Sequence, residues 1–278
     1  MKALFEALLP AFIHPKYKDN HRFRKIYSSY AAALKDCNRD GYENESIVDV
    51  VFQKTKTYIQ QLGARKIGIQ ELAILHPLLT QIALDANKKD LKILDFGGAC
   101  GLHYFEIRAL VKPETKLVWC VVETTEMAKR GEQLMSFSHG ELHFFSSVED
   151  AQTFAGRFDL VHTSGTLQAV PDPWFYLDKL LKLNAKCLIL NRLGLIQGQE
   201  DIFTVHHAKL SWNGKGSLPG GFKDSRISYP FGFFSEEKLL AAVTDRYEII
   251  NQLEDASGCY PVNEYKIVGY GLSCRLKG

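Results

Sequence analysis

Residues 94 to 105 read LDFGGACGLHYF. An acid, Asp95, closes an apolar run, and Gly97, Gly98 and Gly101 come directly after it. Backbone this bare lets a ligand approach without a Cβ in the way. The spacing is not the dinucleotide pattern G-x-G-x-x-G, because Ala99 and Leu102 stand where its second and third glycines belong. It fits D-x-G-x-G-x-G, with Ala99 replacing the middle glycine. A carboxylate beside such a loop disfavours a pyrophosphate and suits a cationic ligand.

S-adenosylmethionine meets that description. It carries an ammonium and a sulfonium and no phosphate, and its carboxylate can face backbone N–H groups at a helix N-terminus. A second acid supports an adenosine-type cofactor. The run LVWCVVE ends in Glu123, 123 − 101 = 22 residues beyond Gly101. An acid at the tip of the second strand, about 20 residues past a glycine loop, accepts both ribose hydroxyls. Phe96 and Ala99 in the loop, Tyr104 after it and Thr124 after Glu123 complete this half of the expected site. A third run ends FFSSVED, placing Ser146, Ser147 and Val148 to line the adenine; Ser147 reads equally well as a helix N-cap. A fourth ends VHTSGTLQAVPDP, which brings Ser164, Gly165, Thr166 and Gln168 to the same edge. His162 lies within that strand and reads as a satisfied core histidine.

A hydroxyl acceptor must lose a proton. The groups able to take it are His206 and His207 in FTVHHAKLSW, His103 after the glycine loop, and Tyr229 in ISYP. Each also has a structural reading. Adjacent residues of an extended segment point to opposite sides, so His206 and His207 cannot both face one site. Arg192, at the end of LILNR, suits an acidic sugar or phosphate on the acceptor, with Gln168 as a second substrate contact. No metal is expected.

From residue 91 onward short β-rich runs (KILDF, KLVWCVVE, ELHFF, FDLVHT, AKCLILN) alternate with amphipathic segments. That alternation predicts an α/β fold with a mostly parallel sheet covered on both faces. Asp172 with Pro173, and Ser235 with two acids behind it, mark helix starts. YEIIN and YKIVGYGLSCRL close the chain as an antiparallel pair. Residues 1–88 read as a helical cap. Within it, Ser46 and Asp49 suggest a capping box and Gly63 a stop, and the helix over 69–86 bends at Pro77. Residues 89–278 form the ligand-binding domain. Its insertion at about 194–232 reads as irregular and Gly-rich, a lid or substrate loop. Trp212, Phe222, Tyr229, Phe231, Phe233 and Phe234 in it suit stacking on a sugar or an apolar acceptor, or a core beneath the insertion.

The chain has 278 residues, 46% hydrophobic and 24% charged, with a formal net charge of +2. That balance, without basic runs interleaved with aromatics, argues against a nucleic-acid partner. The six cysteines form no C-x-x-C pair, which suits reduced thiols in a cytoplasmic protein. The opening MKALFEALLPAFIHP lacks a signal-peptide cleavage pattern, and no apolar run reaches the ~20 residues that span a bilayer. That opening helix is expected to dock on the domain, with peripheral membrane contact as the other reading. Oligomeric state is not legible.

The core resembles a class I S-adenosylmethionine-dependent methyltransferase. More narrowly, the chain is similar to a bacterial methyltransferase family encoded among lipopolysaccharide O-antigen and other surface-polysaccharide genes. The similarity rests on LDFGGACGLHYF, VVE, ELHFFSSVEDA, TSGTLQAVPDP and ISYPFGFFSEEKL in order, and more weakly on SSYAAALKDCNRDGYENESIV. It implies a Rossmann-like fold, a seven-stranded sheet with an antiparallel last strand, and transfer of a methyl group to a small-molecule or glycan oxygen, leaving S-adenosylhomocysteine. It implies cofactor roles for Asp95, Gly97, Gly98, Gly101 and Glu123, and puts Tyr104 near the methionine end. His206 stands where the family commonly has Gln. Two other functions fit some residues: an NAD-dependent sugar oxidoreductase or epimerase, and a non-catalytic cofactor-binding regulator.

Overall fold

The computed structural model describes residues 25–37, 42, 44–62, 77, 80–82, 90–198, 200–263 and 265–278. The opening helix, Gly63 and most of 69–86 lie outside the described residues.

Among the described residues, nine strands form one sheet. β1 (Leu91–Phe96), β2 (Leu117–Val122), β3 (Leu142–Phe145), β4 (Leu160–Ser164) and β5 (Cys187–Ile196) lie parallel in the order β3-β2-β1-β4-β5. β9 (Tyr265–Leu276) pairs antiparallel with β5, and β8 (Tyr247–Val262) pairs antiparallel with β9. These seven strands give the expected mostly parallel sheet with an antiparallel last strand.

Two further strands enlarge it. β6 (Ile202–Lys209) and β7 (Arg226–Ser235) form an antiparallel ribbon, so the segment expected to be irregular is largely sheet. β5 makes room for the ribbon. β4 ends opposite Asn191, and beyond it Leu195 and Ile196 of β5 pair with Phe234 and Ser235 of β7. The ribbon therefore begins where β4 stops, at the carboxyl edge of the sheet. Between Leu190 and Leu193 the pairing of β5 with β9 shifts register, and Arg192 takes φ 52° there. That bulge re-aims the strand past β4.

Strand alternation builds two layers. Leu91 and Ile93 of β1 face one core; Leu94 and Phe96 face the other. Three helices, α2 (Glu45–Gln61), α3 (Leu102–Arg108) and α4 (Thr125–Glu132), cover the first. Three more, α5 (Val148–Ala155), α6 (Pro173–Lys182) and α7 (Glu236–Arg246), cover the second. The short α1 (Tyr30–Leu34) precedes them. Asp172 caps α6 through the amide of Phe175, with Pro173 at its first position, and Ser235 caps α7. The expected capping box at Ser46 does not form. Asn44 caps α2 by accepting from the Ser46 amide at 2.9 Å, and Asp49 pairs instead with Arg130 of α4.

A buried lysine ties the N-terminal helix to the segment joining β6 and β7. Lys54 of α2 is 2% exposed and its Nζ donates to the carbonyls of Ser211 (2.7 Å), Asn213 (2.8 Å) and Gly214 (3.3 Å). Lys215 pairs with Glu106 of α3 and donates to the Tyr58 hydroxyl of α2. Upstream, the Tyr27 amide donates to the Phe203 carbonyl at 2.8 Å, and the Tyr30 hydroxyl to that of Ala169 at 3.1 Å. Helix, ribbon and glycine-loop helix thus pack on one side of the sheet.

Candidate functional site

The glycine loop leaves β1 at the carboxyl edge of the sheet and enters α3 at Leu102. Its shape answers for each small residue. Gly97 has φ 74°, and a Cβ there would lie 1.9 Å from Thr166 Oγ1. At Gly98 a Cβ would lie 2.4 Å from Asp95 Oδ2. Gly101 has φ 78° and caps α3. The glycines are thus required by contacts within the protein. Ala99 stands at φ 50°, a conformation glycine tolerates far better, which explains why the pattern asks for glycine there.

Asp95 is fully buried, and this corrects the expectation that it faces a cationic ligand. Both oxygens are engaged inside the protein. Oδ2 lies 3.0 Å from His103 Nδ1 and Oδ1 lies 2.9 Å from His162 Nδ1. Asn191 Nδ2 lies 3.4 Å from His162 Nε2. Asp95, His162 and Asn191 come from neighbouring strands β1, β4 and β5 and share one face, with His103 of α3 above them. The Asn191 amide donates only, so His162 carries its proton on Nδ1 and passes it toward Asp95. Burial alone would raise the Asp95 carboxyl; the electrostatic pull of the adjacent His103 ring and the hydrogen bonds from both imidazoles outweigh it and hold the carboxyl below its ordinary range. Burial lowers His162 below its usual value, against the pull of Asp95. Asp95, His103 and His162 are also the group among the described residues with metal-ligand spacing, their atoms within 4.8 Å of one another.

Glu123 occupies the expected place at the tip of β2. Its Oε1 accepts from the Ala99 amide at 3.0 Å and its Oε2 from the Thr124 amide at 2.9 Å. The carboxylate therefore lies against the glycine loop. Tyr42 is packed nearby. Burial and then the Glu123 carboxylate raise its phenol to about 12, and its ring meets Tyr229 edge-on at 5.2 Å. In the sequence Tyr42 lies within the more weakly similar stretch SSYAAALKDCNRDGYENESIV and carries no site motif of its own. Across the edge, Gly165 has φ 75°, and Arg192 folds back onto Ser164, with Nε donating to Oγ at 2.8 Å and Nη2 to the carbonyl at 2.9 Å. Gln168 is buried against Gly194.

Other expected residues lie elsewhere. Tyr104 is a core residue, packed on Trp119, and its hydroxyl donates to Glu141 (2.8 Å) and Ser138 (3.0 Å) at the entrance to β3 rather than at the loop. Phe96 and Val148 lie in the second core. Ser147 caps α5 by accepting from the Asp150 amide at 3.0 Å. Thr124 is the N-cap residue of α4 without a side-chain hydrogen bond, and Ser146 is exposed beside Ser147. In the ribbon, alternation separates the histidines. His206 Nδ1 lies 2.8 Å from the Tyr229 hydroxyl and its ring packs near Phe231, whereas His207 is exposed. The part of the His207 ring that packs against the ribbon, and then Arg226, lower its imidazole. Of the aromatics expected to stack on an acceptor, Phe233 and Phe234 are core and Trp212 is 40% exposed.

A cavity of about 660 Å³ opens away from this edge, lined by parts of β8 and β9, by Pro77, Thr80 and Gln81, and by Cys187 at the start of β5. It lies at the strand ends opposite the glycine loop.

No protein-family model matches the sequence, and no curated protein matches it. Among solved structures, the N-terminal domain of EvdMO1 with SAH bound is 17% identical, with TM-score 0.44 over 72% of this chain and 81% of that one. Magnesium protoporphyrin IX methyltransferase (ChlM) from Synechocystis PCC 6803 with bound SAH is 13% identical, with TM-score 0.45 over 83% and 96%. The CcbJ methyltransferase from Streptomyces caelestis is 11% identical, with TM-score 0.44 over 83% and 99%. Likenesses this distant carry no functional weight; the residues of the site must carry it.

Proposed function

We propose that the protein is an S-adenosylmethionine-dependent methyltransferase acting on a hydroxyl of a small-molecule or glycan acceptor, in the cytoplasm and in the synthesis of surface polysaccharide. One observation carries the reading. The Glu123 carboxylate at the tip of β2 lies against the backbone of the glycine loop, where an adenosine ribose would present its two hydroxyls. The donor set fits such a cofactor in part. Glu123 suits an unphosphorylated ribose, and Gly97 to Gly101 present backbone. Asp95 does not meet an ammonium directly; Glu123 disfavours a 2′-phosphate on the ribose, and Ala99 and Leu102, where the dinucleotide pattern needs glycine, count against a pyrophosphate.

When bound, the cofactor supplies a methyl group on a positive sulfur. This chain's part is to hold the acceptor on the S–C axis and keep water away, which in well-aligned systems is worth about 7–11 kcal/mol. The helical cap of residues 1–88 and the 194–232 segment are the proposed walls. Tyr42, Tyr229 and His206 form one chain of contacts, with Tyr42 within electrostatic reach of Glu123. His206 and Tyr229, oriented by their mutual hydrogen bond, meet the acceptor hydroxyl; His207 lies on the opposite face of the strand. Arg192 and Gln168 take an acidic or polar group of the acceptor.

The test is mass spectrometry of surface glycan from cells with and without this protein. One O-methyl group should be lost with the protein. Unchanged glycan methylation would remove the polysaccharide assignment.

A further inference from the structure

The fully bonded carboxylate of Asp95 fixes the residue above it. We propose that His103 is the proton acceptor of the glycine-loop site, held by Asp95 as the fixed member of an Asp–His pair. The proposal rests on the methyltransferase reading and assigns its base.

The proton positions are set by the chain of contacts. Asn191 donates to His162 Nε2, His162 donates from Nδ1 to Asp95 Oδ1, and Asp95 Oδ2 accepts from His103 Nδ1. With its proton fixed on Nδ1, neutral His103 has its lone pair on Nε2. The His103 side chain is 15% exposed and that of Asp95 1% exposed, and with Nδ1 turned to Asp95 the other ring nitrogen, Nε2, is the one left to meet a ligand. Among the described residues Nε2 has no hydrogen-bond partner. The ring is held edge-on to His162 at 5.1 Å, which fixes its plane. The charged and titratable groups around it are Asp95 from β1 and His162 from β4, with Arg192 of β5 acting on His162. The same three side chains have metal-ligand spacing, but each imidazole presents Nδ1 to a different carboxylate oxygen, the arrangement of hydrogen bonds to a shared acceptor.

The step balances. The acceptor O–H gives its proton to His103 Nε2 as the O–CH₃ bond forms, and the electron pair of the broken S–CH₃ bond stays on sulfur. His103 becomes an imidazolium facing the Asp95 carboxylate and returns the proton to water. Asp95 acts as the positioning residue, because an amide in its place donates to Nδ1 and moves the imidazole proton to Nε2, the wrong tautomer for a base.

Three measurements on the full-length protein test this. Nitrogen-15 NMR of the histidine side chains should show neutral His103 as the Nδ1–H tautomer; an Nε2–H tautomer overturns the proposal without any variant. Diethyl pyrocarbonate, attacked by an unprotonated ring nitrogen, should modify His103 in the native protein as mapped by peptide mass spectrometry. Saturating S-adenosylhomocysteine should slow that modification severalfold, and Asp95→Asn should slow it about tenfold or more. An unreactive His103, or a rate indifferent to bound S-adenosylhomocysteine, places it outside that site. Calorimetry on the same samples separates the failures: no S-adenosylhomocysteine binding by the wild type removes the cofactor reading, whereas binding without shielding removes only the base.

Discussion

Asp95 shows why a residue type at a motif position does not fix its role. The acid was legible in the sequence, and so was its place before the glycines. Its direction was not, because the partners that claim it lie eight and 67 residues away on α3 and β4. The buried cluster predicts a specific acid sensitivity. An unfolded histidine takes up a proton near pH 6.5 and an unfolded aspartate near 3.9. Folded His162 is lowered, so between its folded value and about 6.5 the unfolded state binds the extra proton and stability falls as pH falls. Asp95 is lowered too, so its contribution is present above about 3.9 and is lost as pH falls below that. Urea unfolding at several pH values should show wild type losing stability between pH 7.5 and 5, and His162→Gln losing less over the same interval. Equal losses would remove His162 as the origin. The loop offers a second check. Ala99 at φ 50° is strained by about 1 kcal/mol, so Ala99→Gly should leave stability unchanged or raise it, whereas Gly97→Ala, driving a Cβ into Thr166, should lower it by more than about 2 kcal/mol in the same unfolding assay.

At the scale of elements, periodicity read well where one rule governed and poorly where two competed. The parallel core strands, the caps at Asp172 and Ser235 and the antiparallel close of the chain were all visible as patterns. The β6–β7 ribbon was not, since its glycines and aromatics resemble loop chemistry and its pairing partner is created only where β4 ends. Nor was Lys54, which looks like an exposed helical lysine until three carbonyls of the 211–214 turn surround it. Hydrogen bonds to a charged group are worth about 1.5–3 kcal/mol each in net terms. Lys54→Met is therefore expected to destabilise by about 2 kcal/mol or more and to open residues 210–225 to limited proteolysis. Unaltered cleavage of that segment would mean that the turn holds itself in place.

For the molecule as a whole, one side of the sheet carries both the glycine loop and the elements that cover it. There Lys54 joins α2 to the segment between β6 and β7, Lys215 joins that segment to α3, and Arg130 joins α4 to α2. The cavity lined by β8, β9, Pro77, Thr80 and Gln81 lies at the far strand ends, away from the glycine loop. Among the described residues no helix is long and apolar enough to cross a membrane. The functional assignment depends on the loop and Glu123 holding an unphosphorylated adenosine cofactor. Titration calorimetry of the purified protein with S-adenosylhomocysteine, NAD and NADP decides this. S-adenosylhomocysteine should bind and the two dinucleotides should bind little or not at all. Glu123→Ala should lower the S-adenosylhomocysteine affinity about tenfold or more, by loss of a charge-assisted hydrogen bond. Tight NAD binding, or S-adenosylhomocysteine affinity that Glu123→Ala leaves unchanged, would refute the assignment.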